Sequence, residues 1–141
     1  MAGVPVNVTD RLIAALEDAG LAVGDGQPRN AGGPLTGRYV VVRPRQVMRG
    51  EGSIGDPNAD RQPELQITSV GPSRRAADQV AELADRVALG PMPAPDGCAW
   101  QQAAVYVTGT ATTTEPTTDP TAPESTTWFR VDVYRYYLTP A

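Results

Sequence analysis

The sequence predicts a single α+β domain in which two helices pack on one face of a mainly antiparallel sheet of about four strands. Residues 64–70 alternate apolar and polar side chains, as a half-buried strand does. Residues 74–89 repeat apolar side chains at helical spacing, as an amphipathic helix does. Only the tight junction Gly71-Pro72-Ser73 separates them. The predicted order is α-β-β-α-β-β, with a long flap between the first two strands.

The first helix is predicted over residues 11–19, with Thr9 or Asp10 at its start and Gly20 at its end. Its apolar stripe consists of Leu12, Ile13, Leu16 and Ala19. A helix of this length is not stable alone, so we expect it to dock beside the second helix on the sheet. Residues 22–37 are rich in glycine and are expected to form a long loop.

The first strand is predicted over residues 38–44, and the apolar run at its centre is typical of a strand that is covered on both faces. The flap follows at residues 45–60, which are polar and rich in glycine but also contain Val47, Met48 and Ile54. No nearby core needs these three side chains. We interpret the flap as a hairpin arm that lies on a neighbouring subunit or a partner ring, and the alternative is a disordered loop.

The second helix is expected to begin after Ser73 as N-cap and to end at Gly90 and Pro91 with a glycine in the left-handed conformation. A third strand is predicted over residues 100–108, with Ala103, Val105 and Val107 on one face. Residues 110–127 consist almost wholly of Thr, Pro, Glu, Asp and Ser. Because so little apolar surface cannot offset the entropy of ordering, we expect an exposed, mobile hairpin tip there.

The last strand is predicted over residues 127–139. One set of alternate side chains is Phe129, Val131 and Val133, and the other is Trp128, Arg130, Asp132 and Tyr134. We expect the first set to face the core and the second to form an amphipathic face. Aromatic residues are enriched in protein interfaces, so Trp128 and Tyr136 are predicted interface residues. The alternative is that Trp128, Tyr134 and Tyr136 pack beneath the two helices.

The length of 141 residues suits one domain with its own core, so residues 1–141 are predicted to form a single domain. The sequence contains no apolar run that could span a membrane and no secretory signal pattern, which favours a protein made in the cytoplasm. The one cysteine, Cys98, has no neighbouring thiol or imidazole with which to share a metal. We interpret it as a small buried hydrophobe.

The residue types present exclude most catalytic designs. The chain has no histidine and no lysine, and its 12 basic residues are all arginine. Ser-His-Asp and Cys-His sites, imidazole metal ligands, Schiff bases and a Walker lysine are therefore excluded. The 16 acidic residues form no EF-hand loop, and Asp56 and Asp60 in the flap indicate at most a weak calcium site. We predict no catalytic, cofactor-binding or metal-binding residues, and no enzyme.

The net charge of −4 and the isoelectric point of about 4.7 oppose nucleic-acid binding, which needs a concentrated basic surface. Arginines do cluster at residues 38–49, but acidic residues follow closely, so ion pairs at the surface or between subunits are the interpretation. The predicted interface residues are Arg45, Val47, Met48, Arg49, Ile54, Trp128 and Tyr136.

Six segments carry a resemblance to a known family. They are Tyr39-Val40-Val41-Val42, Asp56-Pro57-Asn58-Ala59-Asp60, Leu65-Gln66-Ile67-Thr68-Ser69-Val70-Gly71, Arg75-Ala76-Ala77-Asp78-Gln79, Leu83-Ala84-Asp85-Arg86-Val87 and Tyr134-Arg135-Tyr136-Tyr137-Leu138-Thr139-Pro140-Ala141. In the residues of these segments and in their order, the chain resembles the tail terminator proteins of long-tailed phages that infect actinobacteria, over roughly residues 9–138.

The resemblance implies a hexameric ring that caps the last ring of tail-tube protein, stops tube polymerisation and docks to the head-completion protein. The implied partners are copies of this chain, the major tail protein and the head-completion or stopper protein, with DNA passing through the channel, no specific nucleic-acid binding and no membrane. The implied location is the neck of the virion, after assembly in the host cytoplasm. The alternatives are another neck protein, such as a head–tail connector or stopper, and a monomeric domain that binds a ligand on its sheet face.

Overall fold

The computed structural model describes residues 7–45, 48–49, 61–114 and 127–140. These residues form two helices, α1 (Val8–Asp18) and α2 (Arg74–Ala88), and ten strands. In chain order the strands are β1 (Val23–Asp25), β2 (Arg29–Asn30), β3 (Gly33–Pro34), β4 (Tyr39–Pro44), β5 (Met48–Arg49), β6 (Arg61–Gln62), β7 (Glu64–Gly71), β8 (Cys98–Gly109), β9 (Thr113–Thr114) and β10 (Trp128–Pro140).

Eight of these strands form one sheet, and its four long strands lie in the order β4-β7-β10-β8, each antiparallel to its neighbours. Leu65 of β7 pairs with Tyr134 of β10, and Tyr134 pairs on its other side with Tyr106 of β8. The short β1 lies parallel to β4 at one edge. The structure confirms the predicted α+β class, the main strands and the order of the long elements.

Both helices lie on one face of the sheet and share a core with it. The helices contribute Val8, Leu12, Leu16, Val80, Ala84 and Ala88, and the long strands contribute Val40, Val42, Leu65, Ile67, Tyr134, Tyr136 and Leu138. Val41, between two core residues of β4, is 5% exposed although it points to the other face. The apolar run in this strand is therefore buried on both sides, as predicted.

The first helix begins earlier than predicted because its N-cap is Asn7. The Asn7 side chain accepts a hydrogen bond from the backbone N–H of Asp10 at 2.9 Å, and the Asp10 carboxylate accepts one from the backbone N–H of Asn7 at 3.4 Å. This reciprocal arrangement is a capping box, which satisfies two amide groups that the first helical turn leaves unpaired.

The second helix approaches the sheet closely because its buried stripe is mainly alanine. Ala76, Ala77, Ala81, Ala84 and Ala88 are all buried. Gly71, at the end of β7, lies beneath the first turn, and a Cβ atom there would lie 2.6 Å from the backbone nitrogen of Ala77. Tyr136 of β10 joins the sheet to this helix, because its hydroxyl donates a hydrogen bond to the carbonyl of Ala88.

The two ends of α2 differ in how well they match the prediction. Ser73 is the N-cap, as predicted, and its hydroxyl accepts from the N–H of Ala76 at 3.1 Å. The predicted left-handed glycine is wrong, because Leu89 is the C-cap and Gly90 is not among the glycines with positive φ. Gly90 serves a different purpose: a Cβ atom there would lie 2.7 Å from the carbonyl oxygen of Arg86.

The long loop predicted at residues 22–37 contains regular structure. β1 extends the main sheet, with Val23 opposite Val40, and β2 and β3 form a separate hairpin. Val23 is 5% exposed, because the parallel pairing with β4 brings it into the core. The segment itself is too short and too rich in glycine for its sequence to predict a strand. Its strand geometry comes from pairing with β4, which lies elsewhere in the chain.

The face of β10 that packs against the helices is the opposite of the predicted one, although Val133 on the other face is also buried, at 3% exposed. Tyr134, Tyr136 and Leu138 face the helices and belong to the core, so Val131 and Val133 point to the opposite face. The two tyrosines can face the helices at little cost because each hydroxyl group finds a hydrogen-bond partner inside the fold. The hydroxyl of Tyr134 donates to Asp85 at 2.7 Å, and that of Tyr136 donates to the carbonyl of Ala88 at 3.0 Å.

The third long strand, β8, runs further than predicted and is irregular. Three register shifts interrupt its pairing with β10, and at each shift β8 has one residue more than its partner. Such bulges bend a strand and break its strict alternation. Ala103, Val105 and Val107, predicted on one face, are all exposed, whereas Ala104 packs against the core, and the strand that carries them is interrupted by bulges.

The chain continues in regular structure beyond β8. The backbone N–H of Thr110 donates to the carbonyl of Val131, and β9 pairs with Trp128 and Phe129 at the start of β10. The hairpin tip predicted at residues 110–127 therefore begins no earlier than residue 115. Residues 115–126 lie outside the described residues.

Candidate functional site

The predicted interface residues of the flap lie partly in regular structure. Met48 and Arg49 form β5, which pairs antiparallel with β6 as Met48↔Gln62. β5 and β6 follow β4 and precede β7, which are themselves paired, so the flap begins as a β-hairpin that extends two strands of the sheet. This geometry agrees with the interpretation of the flap as a hairpin arm at its base.

The other flap residues are placed as follows. Arg45 is exposed, and its backbone N–H donates to the carbonyl of Glu64 at 2.8 Å, which joins the two sides of the hairpin. Val47 and Ile54 lie outside the described residues. Their predicted contacts with a neighbouring subunit therefore stay a prediction.

The two predicted aromatic interface residues have different environments. Tyr136 is 1% exposed, because it packs under α2 against Trp100, whose ring centroid lies 5.7 Å away. It occupies the core, which is the alternative that its sequence pattern left open. Trp128 is half-buried and lies opposite Gly71.

The structure does not bring Trp128 and the flap together. Trp128 begins β10, whereas Leu138, ten positions later, pairs with Arg61 at the base of the flap. At about 3.3 Å per strand residue, these points are about 30 Å apart. Trp128 and the base of the flap are therefore separate surfaces of the chain.

A surface that the prediction did not include lies at the outer edge of β8. The exposed large apolar side chains there are Val105, at 43%, Tyr106, at 41%, and Val107, at 38%. We call these three residues the β8 patch. Among the described residues β8 pairs only with β10, so its other edge faces no strand of that part of the chain.

The β8 patch lies in a segment that has no charge. From Cys98 to Thr114 the sequence contains no acidic, basic or proline residue. Natural proteins commonly protect exposed sheet edges with charged residues or proline. Of the usual protective devices, β8 has the register shifts, which bend the strand but leave the three apolar side chains of the patch exposed.

Tyr106 is held rigidly although it is exposed. Its hydroxyl donates to Oδ1 of Asp132 at 3.0 Å, and its ring meets the ring of Tyr134 edge to face at a centroid distance of 5.6 Å. Partial burial, followed by the hydrogen bond to Asp132, raises the pKa of Tyr106 above its ordinary value. The side chain therefore stays neutral and fixed while it presents one side of its ring to solvent.

Asp132 organises the polar groups beneath the patch. It is 2% exposed, and Nε of Arg130 lies 3.2 Å from its Oδ2 atom. On the same side of the sheet, burial and then the hydrogen bond to Asp85 raise the pKa of Tyr134 well above its ordinary value. This network of carboxylates and phenols is shielded and internally satisfied, so it supports the patch.

One sequence signal could have located the patch. The uncharged run of residues 98–114 stands out in a chain with 12 basic and 16 acidic residues. The pattern of Val105 and Val107 was visible, but exposure depends on where β8 lies in the sheet. Its position at an edge follows from long-range pairing, which alternation does not reveal.

Among residues 7–45, 48–49, 61–114 and 127–140, no group of three or more acidic, cysteine or histidine side chains is arranged to hold a metal. Neither helix of the described chain is long and apolar enough to cross a membrane. The features that stand out among the described residues are the exposed apolar side chains of β8 and the hairpin at the base of the flap.

The fold resembles that of a known virion component. A chain of the solved structure "Virion of native gene transfer agent (GTA) particle" superposes with a TM-score of 0.64. The match covers 94% of this chain and 95% of that chain, at 15% sequence identity. At this identity the likeness establishes a shared fold. No protein-family model matches the sequence, and no curated protein matches it.

Proposed function

We propose that this chain is a structural protein of a phage-like virion, and specifically a tail terminator. The observation that carries the proposal is the shared fold over 94% of this chain with a chain of a gene transfer agent particle. The sequence segments that resemble tail terminators are independent support. They include the strand and helix from residue 65 to residue 87, which form β7 and α2.

In the proposed role the chain acts through geometry and has no catalytic step. Copies form a ring, of six subunits by the resemblance, at the end of the tail tube. The ring stops addition of further tube protein and offers a surface to the head-completion protein. The proposed contacts with neighbouring subunits or the tube are the flap residues Arg45, Val47, Met48, Arg49 and Ile54, and Trp128 at the distant end of β10.

The negative charge of the chain is consistent with a ring that surrounds DNA without binding it. Each copy carries a net charge of −4, so a ring of like copies repels phosphate groups over about one Debye length, roughly 8 Å at physiological salt. We propose that DNA passes through the channel without specific binding, and that the protein is located in the neck of the virion.

A second candidate is another neck protein, a connector or a stopper. The similar chain belongs to the structure of a virion particle, and the name of that structure specifies no component, so the shared fold supports either role. The two roles differ in their target, because a terminator acts on the tail tube whereas a connector acts on the portal side of the neck.

The deciding experiment is the effect of the purified protein on tail tubes. Major tail protein is allowed to polymerise with and without this chain, and tube lengths are measured by electron microscopy. A terminator caps tubes and stops their growth, and light scattering shows a ring that binds tubes. Tubes that grow equally in its presence would overturn the terminator role, and binding to portal or connector rings would then favour the second candidate.

A further inference from the structure

The outer edge of β8 combines three properties that seldom occur together on a free surface. It is exposed, its side chains Val105, Tyr106 and Val107 are large and apolar, and no charge or proline lies within residues 98–114. An edge of this kind is a template for association with another chain. It lies near the middle of β10, opposite Tyr134 and Arg135, and so is separate from both the flap and Trp128.

The aromatic residue of the patch, Tyr106, is preorganised for binding. The hydrogen bond to Asp132 and the contact with Tyr134 fix Tyr106 in one orientation. A side chain that is already ordered loses little entropy when a partner covers it. Tyrosines of this kind are enriched among the residues that dominate binding energy.

We infer that the β8 patch is the surface through which one copy of this chain binds another copy. All 12 basic and 16 acidic residues lie outside the neutral segment 98–114. On an acidic chain, two like-charged copies approach each other with least repulsion at a neutral surface. The segment 98–114 itself offers no charge to a strongly charged partner, and the nearby guanidinium groups of Arg130 and Arg135 are already paired with Asp132 and Glu64.

The choice of a second copy as the occupant rests on the proposed function, since a ring requires contacts between copies. The contact wraps around the strand edge, because Val105 and Tyr106 point to opposite faces of the sheet. The register shifts limit a continuous ladder of backbone hydrogen bonds. The contact is therefore expected to depend mainly on the side chains of the patch.

The test compares the solution mass of the wild type with that of the double variant Val105→Lys with Val107→Lys. Light scattering is measured over a range of concentrations. The wild type is expected to form assemblies, and the variant is expected to self-associate at least about a hundredfold more weakly and approach the single-chain mass of 14.9 kDa. The matched control is Leu89→Lys, because Leu89 is 41% exposed at the end of α2 and should leave the assembly unchanged.

A second variant tests the inference even if the lysine double variant does not fold. Val105→Cys in a Cys98→Ala background introduces one thiol in the patch with little change in size. Its rate of reaction with a maleimide should fall several-fold between dilute and assembling concentrations. A thiol at Leu89→Cys in the same background should react at one rate throughout.

The outcomes separate this inference from the proposed function. A wild type that stays monomeric at every concentration overturns the inference, and so does an assembly in which the lysine variant and the Val105→Cys thiol behave as their controls do. Tube capping is scored separately. Self-association through the patch without capping overturns the terminator role alone. Capping by rings of the lysine variant overturns only the inference that copies bind each other through the patch.

Discussion

The hydroxyl of Tyr106, on the exposed edge strand, donates a hydrogen bond to the buried carboxylate of Asp132 on the central strand. The same carboxylate is paired with Arg130, so it is the point at which an exposed aromatic side chain and a half-exposed cation are anchored. Asp132 is therefore expected to matter for stability, although it touches no proposed partner.

Replacement of this carboxylate should destabilise the fold. Asp132→Ala leaves the Tyr106 hydroxyl and the Arg130 guanidinium without their acceptor and is expected to lower the free energy of unfolding by about 2 kcal/mol. Urea denaturation measures the change. The matched control is Asp96→Ala, since Asp96 is 71% exposed in its ion pair with Arg11 and should cost no more than about 0.5 kcal/mol. Equal effects of the two substitutions would contradict the anchoring role.

Gly109 should tolerate no side chain. A Cβ atom at this position would collide with the hydroxyl of Tyr106 and with Oδ1 of Asp132. Gly109→Ala is expected to cost about 1–3 kcal/mol through displacement of one of these groups. In a Tyr106→Phe background the cost should be smaller, because the hydroxyl is absent, and a double-mutant cycle measures the difference. Gly32→Ala, which meets only the exposed side chain of Asn30, is the control.

The approach of α2 to β7 should depend on Gly71. A Cβ atom there would lie 2.8 Å from the carbonyl carbon of Ala76 and 2.9 Å from its Cβ atom, and backbone cannot move as a side-chain end can. Gly71→Ala is expected to destabilise the protein by about 3 kcal/mol, since the helix must lift from the sheet. A thermal or urea melt checks the value. A change within about 0.5 kcal/mol would mean that the helix is not packed as tightly as described.

The buried tyrosines should make stability fall at high pH. Burial raises the pKa of Tyr136 above 10.0, and burial together with the Asp85 hydrogen bond raises that of Tyr134. The unfolded chain therefore loses these protons first, so this contribution is complete below pH 10 and declines above it, by about 1.4 kcal/mol per pH unit for each tyrosine. Urea melts from pH 9 to 11 measure the slope. Tyr136→Phe should reduce the slope whatever its effect at pH 7, and an unchanged slope would contradict the assignment.

The proposed role of the flap gives a prediction about assembly. Met48→Asp with Ile54→Asp is expected to leave the fold intact and to weaken ring formation or tube binding, because a charge at a contact that excludes water is costly. Circular dichroism and light scattering separate the two effects. Leu89→Asp serves as the surface control. A double variant that unfolds would instead show that these side chains belong to the core of the monomer.

Local patterns predicted the elements that carry a clear period. The strand at residue 65 and the helix at residue 74 follow from alternation and helical spacing, and the cap at Ser73 follows from its hydroxyl. β1 was missed because Val23 acquires its strand geometry from β4, at a distance in sequence. Parallel pairing of three residues leaves no periodic signal.

The candidate surfaces likewise separate into those with a local sequence signal and those that depend on long-range pairing. The apolar residues of the flap were visible because they stand out in a polar segment. The faces of β10 were assigned wrongly, since Tyr134 and Tyr136 appear amphipathic until their hydroxyl partners on α2 are known. The exposure of Tyr106 depends on which strand lies at the edge, and strand order is a property of the whole chain.

The central position of β10 has a consequence for the order of events during synthesis. β7 and β8 do not pair with each other. β7 also pairs with the earlier strand β4, whereas β8 joins the described sheet only through β10, which is translated after both. A ribosome that has made residues 1–114 has therefore produced both strands but not the element that joins them. The domain can close only after translation of the last strand, and until then the uncharged β8 segment has both of its edges open, which makes this interval the one in which the nascent chain most needs protection from aggregation.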